Sequence, residues 1–90
     1  GIALIKKAKK IIGVFSDGDL RRQLQKNVDI QKTKVESVMQ RKFKTINEME
    51  LIIEAAAKMK KHKVYNLVVE YKNNIVGVLS MHDILEANVL

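Results

Sequence analysis

The sequence contains no cysteine, no proline and few aromatic residues. Without cysteine it can form no disulfide framework and carries no thiol chemistry, which is typical of a cytosolic protein. No apolar run approaches the roughly 20 residues that span a bilayer, and no signal peptide is visible. We therefore expect a cytoplasmic protein with no membrane partner.

The residue patterns of catalytic and metal sites are also missing. The only two histidines, His62 and His82, stand apart from any cysteine or paired carboxylates. There is no glycine-rich phosphate loop of the P-loop or Rossmann kind, and no pattern supports a Ser-His-Asp arrangement. We expect no catalytic residue, no metal site and no required cofactor in these 90 residues.

The net charge of +7 is compatible with nucleic acid or an anionic ligand as partner. However, the 14 lysines among the 17 basic residues are spread from Lys6 to Lys72 without a dense block. Only two phenylalanines and two tyrosines are available to stack on bases. A generally lysine-rich surface explains the charge better, and we expect no nucleic-acid partner.

A strand–turn–helix pattern occurs twice, 64 residues apart. Residues 11–16 (Ile-Ile-Gly-Val-Phe-Ser) align without gaps with residues 75–80 (Ile-Val-Gly-Val-Leu-Ser). Asp19 then aligns with Asp83, so each unit reads Gly-Val-apolar-Ser-x-x-Asp-apolar. An internal repeat of this kind largely determines the fold.

The first unit begins with two apolar stretches. Residues 2–5 and 11–15 predict a β-hairpin whose charged loop is about five residues long. Ser16 opens a helix that runs to about Leu24, with Leu20 and Leu24 facing the core. Because the chain starts inside the first strand, it reads as a fragment of something longer, and one short amphipathic turn follows at residues 35–39.

In the second unit the pattern predicts a helix over residues 48–61, two strands and a closing helix. Asn47 with Glu50 fits a capping box, and Ile46 with Leu51 fits a hydrophobic staple. The apolar stripe of that helix is predicted to be core and comprises Met49, Ile52, Ile53, Ala56 and Met59. Residues 64–70 and 75–79 predict strands, and residues 81–87 predict the last helix.

A βαββα unit that ends in Gly-Val-apolar-Ser-x-x-Asp, used twice, resembles the CBS domain pair, or Bateman module. The resemblance implies an α/β (α+β) fold made of tandem βαββα units. The first unit is then truncated to its ββα half. Residues 1–34 would be the C-terminal half of the first repeat plus a linker, and residues 35–90 the second repeat.

Residues 13–22 and 77–85 are similar to the C-terminal CBS pair of arabinose-5-phosphate isomerases. Residues 35–39, Thr45-Ile46 and Ala56-x-x-Met59 resemble that family's connecting pattern. Relatives of this kind carry an N-terminal sugar-isomerase (SIS) domain that feeds Kdo and lipopolysaccharide synthesis. None of that domain lies in this sequence, so we expect no isomerase activity from it.

The Ser-x-x-Asp motifs allow two compatible interpretations. As local structure they are capping boxes, with serine as N-cap and aspartate at the third helical position. In CBS pairs, the resemblance implies, the aspartate accepts hydrogen bonds from ribose hydroxyls, and the serine and helix N-terminus face phosphate. The candidate ligand-binding residues are Ser80, Asp83, His82, Thr45, Ile46, Val64, Tyr65, Ser16, Asp19, Arg21 and Arg22.

The candidate residues differ in what else they could do. Arg21 and Arg22 suit a phosphate or carboxylate, but a surface pair or an interdomain salt bridge is the more ordinary role. His82 is better explained as a structural hydrogen bonder than as an acid or base. Tyr65-Asn66-Leu67 stands where CBS domains often have a proline-containing strand start.

Two functional hypotheses remain from the sequence. In the first, the chain senses a nucleotide or nucleotide-sugar, such as an adenine nucleotide or CMP-Kdo, and regulates an attached isomerase. In the second, it is an oligomerisation module without a physiological ligand. In both, the truncated first unit leads us to expect a homodimer.

Overall fold

Two β-hairpins, each followed by a short helix, form the repeated part of the protein. The computed structural model describes residues 1–87. These residues divide into two units, Gly1–Phe43 and a second unit that begins at Lys44. Within the described range, no helix is both long and apolar enough to cross a membrane.

The first unit has two strands and two helices. Strands β1 (Ile2–Lys7) and β2 (Lys10–Ser16) are antiparallel, and helices α1 (Asp17–Gln25) and α2 (Val35–Val38) follow. The predicted five-residue loop is wrong, because the strands extend to a two-residue turn at Ala8 and Lys9. Both turn residues have positive φ, 50° and 67°, as the tight turns favoured by twisted hairpins require.

The apolar side chains of α1 do not form a core in this unit. Leu20 and Leu24 are both exposed, so their predicted burial is wrong. The buried hydrophobic side chains are instead Val14 on β2 and Met39 just after α2. Gln40 pairs with Val14 through two backbone hydrogen bonds of 2.9 Å and 2.8 Å, which hold this segment along the free edge of β2.

The second unit is a complete βαββα arrangement. It contains β3 (Thr45–Asn47), α3 (Ile52–His62), β4 (Asn66–Tyr71), β5 (Asn74–Ser80) and α4 (Met81–Glu86). The sheet order is β3-β4-β5, with β3 parallel and β5 antiparallel to β4. The mixed α/β class predicted from the repeat is confirmed.

Helix α3 starts four residues later than predicted. Asn47 is the last residue of β3, and its side-chain oxygen accepts a hydrogen bond of 2.9 Å from the Met49 amide. Asn47 therefore opens a turn rather than capping the helix. Leu51 is the N-cap and is exposed, so the predicted hydrophobic staple does not form.

The core of the second unit lies between α3, α4 and the sheet. Its buried residues are Ile46, Ala55, Ala56, Met59, Leu67 and Ile84. Ala56 and Met59 were predicted correctly, whereas Met49, Ile52 and Ile53 are exposed. The N-terminal part of the apolar stripe thus lies outside the core.

The repeat extends to the geometry of the two hairpins. Lys72 and Asn73 form the second turn with φ of 49° and 66°, at the positions equivalent to the first turn. Each hairpin also has one register irregularity, between Ile5 and Lys6 and between Val69 and Glu70. These pairs are again 64 residues apart, so the two hairpins share turn and register.

Candidate functional site

In the first unit the predicted capping box is present. The Ser16 hydroxyl accepts a hydrogen bond of 3.2 Å from the Asp19 amide, and the Ser16 amide donates one of 2.8 Å to the Asp19 carboxylate. These reciprocal bonds satisfy donors at the start of α1. They also fix the Asp19 side chain against the end of β2.

The Asp19 carboxylate is buried and fully engaged. Only 2% of this residue is exposed. Besides Ser16, the carboxylate accepts hydrogen bonds from the Gln40 amide, at 3.1 Å, and from the Arg22 guanidinium. Burial raises its pKa, but the hydrogen bonds from Ser16, Gln40 and Arg22 outweigh burial and leave the pKa below the ordinary value.

The two arginines therefore have different surroundings. Both are exposed, but Arg22 forms an ion pair with Asp19, whereas Arg21 forms none among residues 1–87. Gln40 was not among the predicted site residues. It lies 21 residues from Asp19, and nothing in the local sequence indicates that contact.

In the second unit the equivalent aspartate is in a different environment. Ser80 caps α4 by accepting a hydrogen bond of 3.0 Å from the Asp83 amide. The Asp83 side chain is exposed, and within residues 1–87 its carboxylate has no hydrogen-bond partner. Glu86 stands where the first unit has Arg22, and it pairs instead with His82 at 3.3 Å.

The start of α4 is joined to the connector before β4. The Met81 amide donates a hydrogen bond of 2.8 Å to the Tyr65 carbonyl. Val64, Tyr65 and Met81 all line an apolar cleft of 600 Å³ beside α3. The Tyr65 side chain is exposed, so its ring is accessible from this cleft.

Thr45 and Ile46 line a second, polar cleft of 430 Å³ on the other side of α3. The Lys58 ammonium donates to the Thr45 carbonyl, and the Thr45 hydroxyl lies 3.4 Å from the Glu70 carboxylate. Slight burial and the charges of Lys44, Lys61 and Lys58 lower the pKa of His62, which also lines this cleft. The predicted walls of the second-unit site are thus divided between two clefts.

No group of three or more histidine, cysteine or acidic side chains within residues 1–87 is placed to hold a metal ion. The chemistry that the candidate residues offer is instead hydrogen bonding. Nothing within residues 1–87 donates to the two oxygens of the Asp83 carboxylate, and the Ser80 hydroxyl is bonded to the amide of the same residue. This pair is suited to a ligand rich in hydroxyl groups.

A family model for the CBS domain matches residues 35–89. The chain belongs to the CBS domain family. CBS domains are ligand-binding regulatory modules, which places this chain in a regulatory class.

A curated relative is the arabinose 5-phosphate isomerase of Pseudomonas aeruginosa, 39% identical over 82 residues. The match covers 90% of this chain but 25% of that isomerase, so the chain spans about a quarter of its length.

Solved CBS structures match nearly the whole chain. A CBS domain protein from Pyrobaculum aerophilum complexed with AMP is 26% identical with a TM-score of 0.80, covering 100% of this chain and 76% of that one. A CBS domain pair in complex with 5′-methylthioadenosine and S-adenosyl-L-methionine is 25% identical with a TM-score of 0.81. That match covers 97% of this chain and 71% of the other.

Proposed function

We propose that this CBS domain chain binds a nucleotide or nucleotide-sugar through Ser80 and Asp83 and thereby regulates an attached arabinose-5-phosphate isomerase. The observation that carries the proposal is the difference between the two repeated aspartates. Asp19 has every acceptor position occupied by Ser16, Arg22 and Gln40, whereas the Asp83 carboxylate is exposed and free among the described residues.

An exposed carboxylate such as that of Asp83 is suited to binding the hydroxyl groups of a ribose. Two adjacent hydroxyls can donate to the two oxygens of one carboxylate, and the Ser80 hydroxyl can contact a neighbouring polar group. AMP and S-adenosyl-L-methionine, which are bound by CBS proteins of similar structure, both contain a ribose. The ligand classes we propose are adenine nucleotides and CMP-Kdo.

We assign the surrounding residues secondary roles in binding. Val64 and Tyr65 offer an apolar surface next to the start of α4, against which a base could pack. His82, one residue from Asp83, belongs to the same proposed site, whereas Thr45 and Ile46, proposed from the family resemblance, line the other cleft. In the first unit Ser16, Asp19 and Arg22 already satisfy one another, so their first role is structural, and Arg21 is the candidate there without an ion pair among the described residues.

The proposal includes a domain arrangement. Residues 1–34 form the C-terminal half of a first CBS repeat and its linker, and residues 35–90 form the second repeat. The family match to residues 35–89 supports this division. The SIS isomerase domain would precede these repeats in a longer cytoplasmic protein, as the similarity to the isomerases suggests.

Regulation requires that the ligand bind two states of the isomerase with different affinities. Ligand binding to the CBS repeats would bias their packing and, through it, the attached catalytic domain. The present chain would contain the ligand-binding repeats but not the catalytic domain.

Thermal unfolding tests the proposal. A ligand that binds only the native state raises its stability by mass action, so one of AMP, ATP, CMP, CMP-Kdo or arabinose 5-phosphate should raise the Tm. Asp83→Asn should remove that shift, while Lys32→Gln, a change of one exposed side chain in the other unit, should keep it. A Tm unmoved by the whole panel would contradict the proposal.

One observation favours a second function, an oligomerisation module that forms a homodimer. Several large apolar side chains of the second unit are exposed: Met49, Leu51, Ile52, Ile53, Tyr65 and Leu85. Ile53 and Tyr65 line the apolar cleft of 600 Å³. Exposed apolar surface of this kind is characteristic of interaction sites.

A further inference from the structure

Two glycines occupy the same position in the repeat but have different surroundings. Gly13 pairs with Ile5 in the first hairpin, and Gly77 pairs with Val69 in the second. A Cβ atom added at Gly13 would lie 2.7 Å from the Met39 sulfur and 2.8 Å from the Gln40 carbonyl oxygen. A Cβ atom added at Gly77 would meet nothing within 4 Å.

The cover over Gly13 is the segment Val35–Gln40. It consists of the helical turn α2, then Met39 with its thioether over the glycine, then Gln40 with its backbone paired to Val14. This cover accounts for the glycine at position 13, because any side chain there would collide with Met39. It also buries Val14, of which 5% is exposed.

The equivalent edge of the second hairpin is uncovered within residues 1–87. We call this edge, residues Val76–Val78, the β5 outer edge. Strand β5 is the last strand in its sheet, so the backbone groups on this side have no neighbouring strand. Val76 is 53% exposed, and Val78 is only partly buried where its counterpart Val14 is buried.

A glycine inside a strand weakens that strand, because it has no side chain to pack and loses more entropy on folding. Neither Gly13 nor Gly77 has a positive φ, so backbone conformation does not require glycine at either site. At Gly13 the close approach of Met39 supplies the reason. At Gly77 no atom among the described residues lies close enough to supply such a reason.

We propose that the β5 outer edge docks a peptide segment of the same chemistry as Val35–Gln40. The occupant presents two valines on a helical turn, then a methionine over Gly77, then a residue whose backbone pairs antiparallel with Val78. The internal repeat specifies this occupant, since the segment with that chemistry already lies on the equivalent edge of the first hairpin. The inference is independent of the proposed nucleotide site.

A peptide with the sequence of residues 34–42 is the direct probe, added at millimolar concentration to the isotopically labelled chain. The amide resonances of Gly77 and Val78 should shift on titration, and hydrogen exchange of the Val78 amide should slow. The same peptide carrying Met39→Asp should bind at least tenfold more weakly, because a carboxylate would replace the thioether over the glycine.

Gly77→Ala and Gly13→Ala form a matched pair for this test. Gly77→Ala should leave the folded chain unchanged but weaken peptide binding at least tenfold. Gly13→Ala should lower the Tm, since Met39 must move. The proposal is overturned if the peptide shifts no resonance of the β5 outer edge, if it shifts only those of Gly13 and Val14, or if Gly77→Ala binds it as tightly as the parent chain.

Discussion

The side-chain amide of Gln40 donates a hydrogen bond of 3.1 Å to the buried carboxylate of Asp19. This contact joins the segment after α2 to the start of α1 and completes the set of partners around Asp19. Its counterpart in the second unit, Asp83, has no such partner within residues 1–87. One repeated aspartate is thus a structural residue, and the other is available to a ligand.

Replacing the two aspartates should therefore have unequal effects on stability. Asp19→Ala removes the capping-box acid and the shared acceptor of Arg22 and Gln40, whose own side chains are exposed, and should lower the free energy of unfolding by about 2 kcal/mol. Asp83→Ala removes an exposed side chain and should change it by less than about 0.5 kcal/mol. Urea unfolding at pH 7 measures both. Equal losses would contradict the different roles assigned to the two residues.

Asp19 should also make stability depend on pH. Its pKa in the folded protein lies below the ordinary value, so the unfolded chain binds a proton at Asp19 more readily. The stabilisation is present above the unfolded pKa of about 3.9 and is lost as pH falls through the lower folded pKa. The difference in unfolding free energy between the parent chain and Asp19→Asn should be constant above about pH 5 and should shrink below about pH 4. A difference in unfolding free energy that increased as the pH fell below about 4 would contradict this prediction.

Substitutions at Met59 and Met49 test which part of the apolar stripe is buried in the core. Met59 is 1% exposed and packs between α3 and the sheet, so Met59→Ala should cost about 2–5 kcal/mol. Met49 is 76% exposed, and Met49→Ala should cost less than about 0.5 kcal/mol. Thermal unfolding of the two variants makes the comparison. A large loss at Met49 would instead place the start of the stripe in the core, as the sequence predicted.

The exposed apolar cleft predicts association. The chain should sediment as a dimer at micromolar concentration, and Ile53→Lys should convert it to a monomer by placing a charge in the cleft. Glu54→Lys, which changes the charge of the adjacent residue outside the apolar cleft, should remain dimeric. A parent chain that is monomeric at this concentration would contradict the homodimer.

Local pattern was enough to predict the architecture. The repeat of Gly-Val-apolar-Ser-x-x-Asp located both hairpins and both N-caps, because strand patterning and capping depend on neighbours within a few residues. The start of α3 was missed since Asn47 suits a strand end followed by a turn as well as an N-cap. The exposure of Leu20 and Leu24 was not predicted. The spacing of apolar residues shows that they share one face of the helix, but it does not show whether another element packs on that face.

The candidate site was only partly predictable. The motif singled out Ser80 with Asp83 and Ser16 with Asp19, and the structure makes each serine the N-cap of its helix. The sequence could not distinguish the two pairs, since the difference depends on Gln40, which reaches Asp19 from 21 residues away. The replacement of Arg22 by Glu86 at the equivalent position was the one available signal.

The most direct test of the account is a titration of AMP and of CMP-Kdo onto the chain, followed by amide resonances and calorimetry. The account predicts saturable binding of at least one of them, with shifts at Ser80 and Asp83 and at least tenfold weaker binding to Asp83→Asn. Lys32→Gln, an exposed change outside the candidate site, should bind as the parent chain does. Binding that is unchanged in Asp83→Asn, or no binding of either nucleotide, would contradict the assignment of Asp83 as the ligand-binding aspartate.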